Sequence, residues 1–355
     1  MGLFSGGKNV LGIDLGSTSI KVVELKRTKP LPTLVTYGYL ERATGDITRG
    51  NQEEVQKMTA ESLKKLCQQA GVTTDSVVTA LPNFSVFSSI ITLPIISNKE
   101  LKEAIIAKAK KIIPLPFEDV ILDWKILGKF IPANNKETTE GEKKEKKTKE
   151  NYKILINVAS KNLVKRYLEI FKAAGLKLLS LETESFALVR ALIGNDPSIV
   201  MIIDFSAVST DIIIVEKMIP IFNRSIDIGG VTITRAIAQS LNIDFQKAEQ
   251  FKKDLEITKE IKYPPPIEGT LKSLTEEIKY SIELFKNQTN KNIEKIILSG
   301  GSAYLPKLDE YFSREINMKF IISNPWKRIS YPAEIEPALT QVAPRFSVAI
   351  GLALR

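Results

Sequence analysis

Apolar and polar residues alternate on both sides of Gly16-Ser17-Thr18 in VLGIDLGSTSIKVVELK, a period of two broken by turn residues that predicts a β-hairpin. A further strand is expected at Val35 to Leu40. From Glu53 to Ala70 the period changes: Val55, Met58, Leu63 and Leu66 fall on one helical face, and Gly71 stops the helix at its C-terminal end. VVTALP then returns as a buried strand, giving a mixed sheet covered by helices.

From Phe84 the texture changes to SVFSSIITLP, a helix opened by the capping box Ser97-Asn98-Lys99-Glu100, and the strand VILDWKILG. KILINVAS, a helix from Lys161 to Ala174 and the strand LKLLSLE follow. The order β-α-β-β-α-β predicts a ferredoxin-like inserted subdomain at residues 84–181. Inside it, Asn134 to Asn151 alternates lysine with glutamate and has no large apolar residue, so it is read as a solvated hairpin extension.

Beyond Glu182 come the helix SFALVRALIG, a second hairpin IVMIIDFSAVSTDIIIVEK, and IPIFNRSIDIGG leading into the helix VTITRAIAQSL. The two hairpins share one scheme: apolar run, Asp, small residue, hydroxyl pair, apolar run. A strand-turn-strand repeated about 190 residues apart predicts two related lobes facing one site. The remainder reads as a helix from Phe245 to Leu255, a loop at Pro264-Pro265-Pro266, a long helix near Gly269 to Asn287, the strand EKIILSGG and a terminal helix in VAPRFSVAIGLALR.

Composition narrows the chemistry. The chain of 355 residues has 43% apolar and 26% charged residues, which fits a soluble globular protein of two domains. It has no histidine and one cysteine, Cys67, which excludes histidine triads, zincins and intrachain disulfides. The net charge of +9 comes from lysines dispersed among glutamates, with no basic stripe, so no nucleic-acid partner is expected. The most apolar window, IVMIIDFSAVSTDIIIV, carries Asp204 and Asp211 and does not read as a membrane span, and MGLFSGGK is no secretion signal. A cytoplasmic location is expected, with membrane association only through partners.

Three segments carry chemistry. Gly12-Ile13-Asp14-Leu15-Gly16-Ser17-Thr18 puts a carboxylate at the end of a buried strand, ahead of a turn whose backbone N–H groups can point at phosphate oxygens. Asp204 to Asp211 repeats the arrangement, so two carboxylates could share one Mg²⁺ and two turns clamp one polyphosphate. Ser299-Gly300-Gly301-Ser302 joins a strand to a helix through glycines that let the backbone lie against a planar ligand or a phosphate.

These residues resemble the actin-like ATPase superfamily, in order and spacing over essentially the whole chain. Asp14 to Ser17 and Asp204 to Thr210 look like its two phosphate motifs, Glu184 to Ala187 like its connecting motif, and Ser299 to Pro306 like its adenosine motif. The inserted subdomain resembles that of FtsA and of the type IV pilus assembly PilM family. SLETESFALVRAL, RSIDIGGVTITRAIA and PALTQVAPRFSVAIGLALR are especially similar to the latter.

The resemblance implies an α/β, two-lobed actin-like fold with ribonuclease H-like cores. Residues 1–83 would form the first lobe, 84–181 the insertion, 182–199 a connecting helix of the first lobe, 200–335 the second lobe, and 336–355 a helix returning to the first. It implies that ATP and Mg²⁺ are bound. Asp14 and Asp204 would hold Mg²⁺ through water, and Gly16, Ser17, Thr18, Ser209 and Thr210 would bind phosphates. Glu184 would orient an attacking water, and Gly229 and Gly230 would lie where a helix approaches the phosphates. Glu249 and Lys252 would contact the nucleoside, and Gly300 and Gly301 would flank adenine.

One departure is Ser206, where the second phosphate motif usually has glycine; its Cβ restricts positive φ, so at most slow ATP hydrolysis is expected. The implied function is an adaptor of the pilus inner-membrane assembly complex, and the resemblance allows a homo-oligomer. A groove between the first lobe and the insertion would grip the N-terminal tail of the membrane protein PilN by strand addition and apolar pockets. The alternative is an FtsA-like filament-forming ATPase, which needs an amphipathic membrane helix after the last motif, where this sequence stops at Arg355. A small-molecule kinase of the same superfamily is a third class.

Overall fold

A computed structural model describes residues 9–41, 52–130, 150–257 and 260–355. Two compact units divide the chain, one formed by Met1–Asn83 with Arg166–Arg355, the other by Phe84–Lys165.

The larger unit holds two five-stranded sheets of the same topology. In the first, β1 (Asn9–Leu15) pairs antiparallel with β2 (Ser19–Lys26), which pairs with β3 (Thr33–Glu41). Helix α1 (Gln52–Gln69) leads to β4 (Ser76–Leu81), which lies parallel to β1. Of the six β4 residues, all but Ser76 are buried, so this is a central strand needing a ladder partner on both edges.

That second partner differs from the expectation. The smaller unit carries β5 (Val86–Pro94), α2 (Asn98–Lys110), β6 (Val120–Phe130) and β7 (Asn151–Ser160), in a sheet of order β5-β7-β6. Its core is Ile91, Leu101, Ile105, Ala109, Ile154 and Ile156. Helix α3 (Lys161–Ala173) then leads to β8 (Lys177–Thr183), the LKLLSLE strand placed in the insertion by sequence. It pairs instead with the free edge of β4, Ser76 opposite Lys177 and Leu81 opposite Thr183. The insertion is therefore three-stranded, and its compact part ends at Lys165 rather than 181. Apart from its last two residues, the lysine-glutamate run lies outside the described residues.

Helix α4 (Glu184–Leu192) connects to the second sheet: β9 (Val200–Phe205), β10 (Thr210–Glu216) and β11 (Ile219–Ile226). Helices α5 (Gly230–Leu241), α6 (Phe245–Lys253) and α7 (Pro265–Thr289) follow. Helix α7 begins inside the tri-proline run read as a loop, because proline is tolerated in a first helical turn where its N–H has no partner anyway. Then come β12 (Lys295–Ser299), α8 (Leu308–Ile316), β13 (Phe320–Ile322), α9 (Glu336–Thr340) and α10 (Ser347–Ala353). The orders β3-β2-β1-β4-β8 and β11-β10-β9-β12-β13 are one pattern used twice, as the repeated hairpins predicted.

Helices α4 and α10 share a core with both sheets: Val10 and Val78 from the first, Ile202 and Ile213 from the second, and Ala187, Leu188, Val348 and Leu352 from the helices. The packing is close enough to demand glycine. A Cβ on Gly351 would lie 1.9 Å from the Ala187 carbonyl oxygen, and one on Gly12 of β1 would lie 2.2 Å from that of Ala349. Gly351→Ala must push α10 off α4, so urea unfolding should show a loss of about 1–3 kcal/mol, the usual scale of overpacking. A change below about 0.5 kcal/mol would mean that the helices separate without cost.

Candidate functional site

The two hairpins place their aspartates in equivalent positions. Asp14 of β1 stands opposite Lys21 of β2, and Asp204 of β9 opposite Asp211 of β10. The same register position thus holds a cation in one lobe and an anion in the other. Lys21 donates to Asp14 at 2.8 Å, with both side chains largely buried. Among the described residues Asp211 has no such cation; its carboxylate accepts from the Ser225 hydroxyl, and the Asn83 side chain also favours its charged form.

Glu184, the first residue of α4, completes a cluster of four carboxylates. Burial raises its carboxyl well above the ordinary range, and Asp211, Asp14 and Asp204 raise it further, in that order of effect. Burial likewise raises Asp204, against hydrogen bonds from Ser299 and Ser206, and lifts Asp211 to about 7. Among the described residues, no three acidic or cysteine side chains converge closely enough to ligate a metal directly.

Gly16, Ser17 and Thr18 are half-buried, with Lys21 Nζ beside them, 3.4 Å from where a Gly16 Cβ would stand. The second turn is tied down. The Ser206 N–H donates to the Ser209 carbonyl at 3.0 Å, the Gly230 N–H to the Ser206 carbonyl at 3.0 Å and the Val231 N–H to the Ala207 carbonyl at 2.8 Å. Gly229 and Gly230 therefore grip the turn through the start of α5, and a Cβ on Gly229 would meet the Ala207 carbonyl at 2.4 Å. Ser209 is buried in the turn, and the Thr210 hydroxyl donates to the Ile228 carbonyl at 2.6 Å.

Ser206 replaces the usual glycine without a change of backbone region. It is absent from the residues with positive φ, so the turn needs no glycine there. Its hydroxyl donates instead to Asp204 Oδ2 at 3.0 Å, holding one of the oxygens expected to face a hydrated metal.

On α6, Lys252 reaches Glu249 at 2.7 Å, Thr234 Oγ1 at 2.7 Å and the Gly230 carbonyl at 3.1 Å. A Cβ on Gly230 would lie 2.5 Å from Ser302 Oγ and 3.4 Å from Lys252 Nζ, so this pair borders the adenosine-like turn. In that turn Gly300, at φ +87°, packs on the Phe205 backbone, while Gly301 faces Arg345.

Of the residues singled out by sequence, Asp14, Asp204 and Glu184 meet in one cluster, and Gly230, Glu249 and Lys252 meet beside the Gly300-Gly301 turn. Lys21, Asp211, Asn83, Ser302 and Arg345 were missed. For Lys21 and Asp211 a signal existed: counting the hairpin register outward from either turn puts them opposite the aspartates. Because the folded chain binds a proton at Asp211 more tightly than the unfolded chain does, its contribution to stability is complete below about pH 4 and lost as pH rises through about 7. Asp211→Asn should accordingly flatten the fall of Tm between pH 4 and 7, measured without divalent ions. Equal slopes in both proteins would contradict the assignment.

Residues 12–355 match the sequence model of the family described as "Type IV pilus assembly protein PilM". The chain is similar to one in a solved "PilM-PilN type IV pilus biogenesis complex", at 27% identity and TM-score 0.81, with 98% of each chain covered. Similarity also extends to the ethanolamine utilization protein EutJ from Carboxydothermus hydrogenoformans, at 16% identity and TM-score 0.57, covering 98% of this chain and 89% of that one. MreB5 of Spiroplasma citri, solved with ADP bound, matches at 14% identity and TM-score 0.50, covering 97% and 94%. The fold is the two-lobed actin-like one.

Proposed function

The chain belongs to the type IV pilus assembly PilM family, and from that premise we propose that it is an ATP-binding adaptor which captures the N-terminal tail of a PilN-type membrane protein at the inner-membrane assembly complex. The observation that carries the nucleotide half is the carboxylate cluster between two equivalent turns, one of which has a lysine at its side. Buried carboxylates whose protonated forms are favoured are a site that a cation would relieve. The donor set suits Mg²⁺ held through its waters by Asp14 and Asp204, since direct ligation by three carboxylates is not built. Bound there, Mg²⁺ would neutralise charge between carboxylates and triphosphate.

The chain's own residues do the rest. The first turn and Lys21 take phosphate oxygens, while the second turn, clamped by α5 and by the Ser302 hydroxyl on the Ser206 carbonyl at 3.0 Å, presents a fixed wall. Glu249, Lys252 and Gly301 border the nucleoside. Because Thr210 is committed to backbone, Ser209, Ser17 and Thr18 are the hydroxyls left for phosphate.

For the partner, the inserted sheet has two edges that pair with no other strand among the described residues. Strand β6 is broken by a register shift between Ile126 and Gly128, whereas β5 runs nine residues in unbroken register, so β5 is the better template for an added strand. No helix among the described residues is long and apolar enough to cross a membrane, so recruitment to one would run through this partner.

Two outcomes are expected. Mg²⁺-ATP should raise Tm by mass action, and Asp14→Ala or Asp204→Ala should each weaken binding by about 1–3 kcal/mol, the scale of a lost hydrogen bond to a charged group. Calorimetry giving unchanged affinity in both variants would reject the site. For the partner, methylating successive backbone nitrogens of a synthetic PilN N-terminal peptide should abolish binding at alternate positions, as a strand ladder requires. Tolerance at every position would exclude strand addition.

A further inference from the structure

Gly301 is glycine for a reason that neither backbone nor packing supplies. It is absent from the positive-φ glycines, which include its neighbour Gly300. A Cβ on Gly301 would meet only Arg345 among the described residues, Cγ and Nε each at 3.5 Å, which is ordinary contact. Alanine would fit as well, so what glycine adds is bare backbone beside Arg345.

The backbone of Arg345 is held at this spot from both sheets. It lies in the short 3₁₀ turn Ala343–Phe346. The Pro344 carbonyl before it accepts from the Gly300 N–H at 3.1 Å, and Phe346 after it packs edge-on to Tyr37 and Tyr39 of β3. At the far end of the glycine turn, the Tyr304 hydroxyl donates to the Thr340 carbonyl at 2.5 Å. Arg345 is thereby fixed against Gly300 and Gly301.

Its side chain is less committed. The guanidinium stands 5.7 Å from the centre of the Tyr39 ring and pairs with Glu41 through Nη1 at 3.2 Å, in a bridge whose side chains are 30% and 58% exposed. An ion pair so exposed is worth little and exchanges readily. Lys252 lies within electrostatic reach: burial holds its ammonium below the ordinary pKa, Glu249 opposes that, and the charges of Lys253 and Arg345 lower it further. Lys252 is paired with Glu249 at 2.7 Å and is the more buried of the two, so Arg345 is the cation better able to change partner.

We propose that Arg345 is a specificity-determining residue of the nucleotide site, its guanidinium turning from Glu41 to stack on a base that lies against Gly301. This rests on the nucleotide reading and adds a residue to it. A guanidinium is planar, stacks on aromatic faces and has N–H donors but no acceptor. Every base offers a face, so the stack does not choose adenine from guanine. Dispersion grows with the number of atoms in contact, so a two-ring base gains more than a one-ring base. The site therefore prefers purine to pyrimidine nucleotides, and Glu41 competes with the base for one side chain.

Calorimetry on the intact chain with ATP, CTP and inorganic tripolyphosphate tests this. Arg345→Ala is expected to weaken ATP about tenfold, within the range of a cation–π contact, and to leave tripolyphosphate unchanged. The preference for ATP over CTP narrows in the same variant. Arg345→Lys keeps the charge but loses the plane, and weakens ATP nearly as much. Glu41→Gln removes the competitor and tightens ATP about two- to threefold. The proposal is overturned if lysine restores ATP affinity or if tripolyphosphate weakens along with ATP, because Arg345 then acts on phosphate. A wild type that binds ATP and CTP equally overturns it as well. Should Arg345→Ala fail to fold, the lysine and Glu41→Gln variants decide. Unchanged ATP affinity in the Arg345 variants removes this proposal and leaves the nucleotide reading standing, whereas a wild type that binds neither ATP nor tripolyphosphate removes both.

Discussion

Negative charge gathered in a place that water reaches poorly is the constraint on which the rest of this structure depends. Asp14, Asp204, Asp211 and Glu184 act on one another electrostatically, and Lys21 is the cation paired with one of them. Opposite charges on Asp14 and Lys21 occupy the register position that in the second lobe holds like charges on Asp204 and Asp211. An arrangement so unbalanced holds only if protons or a cation make up the difference. On the proposed reading, a hydrated metal ion is what makes up that difference.

What imposes it is the backbone packing around α10 and α4. Both helices lie in one core with the two sheets, and the contacts at Gly12 and Gly351 are too close for any larger residue. Strand ends are thereby fixed at a separation set by main chain rather than by adaptable side chains. Glu184 opens α4, so the helix that joins the lobes also carries a carboxylate into the acidic cluster. The same logic holds in the second turn, where the start of α5 grips the Ser206 and Ala207 carbonyls.

Local chemistry explains what the sequence made legible. The hairpins announce themselves through a period of two and a turn of small residues, and their recurrence exposed the paired lobes. The LKLLSLE strand was misplaced because alternation marks a strand without saying which sheet takes it; only the unpaired edge of a buried β4 decides that. Asn83 was invisible for a related reason, since its partners Glu184 and Ser185 lie more than 100 residues away. Ser206 was read through the conformation that glycine permits, yet the turn adopts one that serine also takes, and the side chain found a partner in Asp204.

The central claim is that two equivalent turns act on one ligand. Hydrogen exchange resolved to single amides, recorded with and without Mg²⁺-ATP, tests it most directly. Amides of residues 15–19 and 205–209 should gain protection together, over the same range of nucleotide concentration. Protection confined to one turn, or two turns responding at different concentrations, would contradict a shared site.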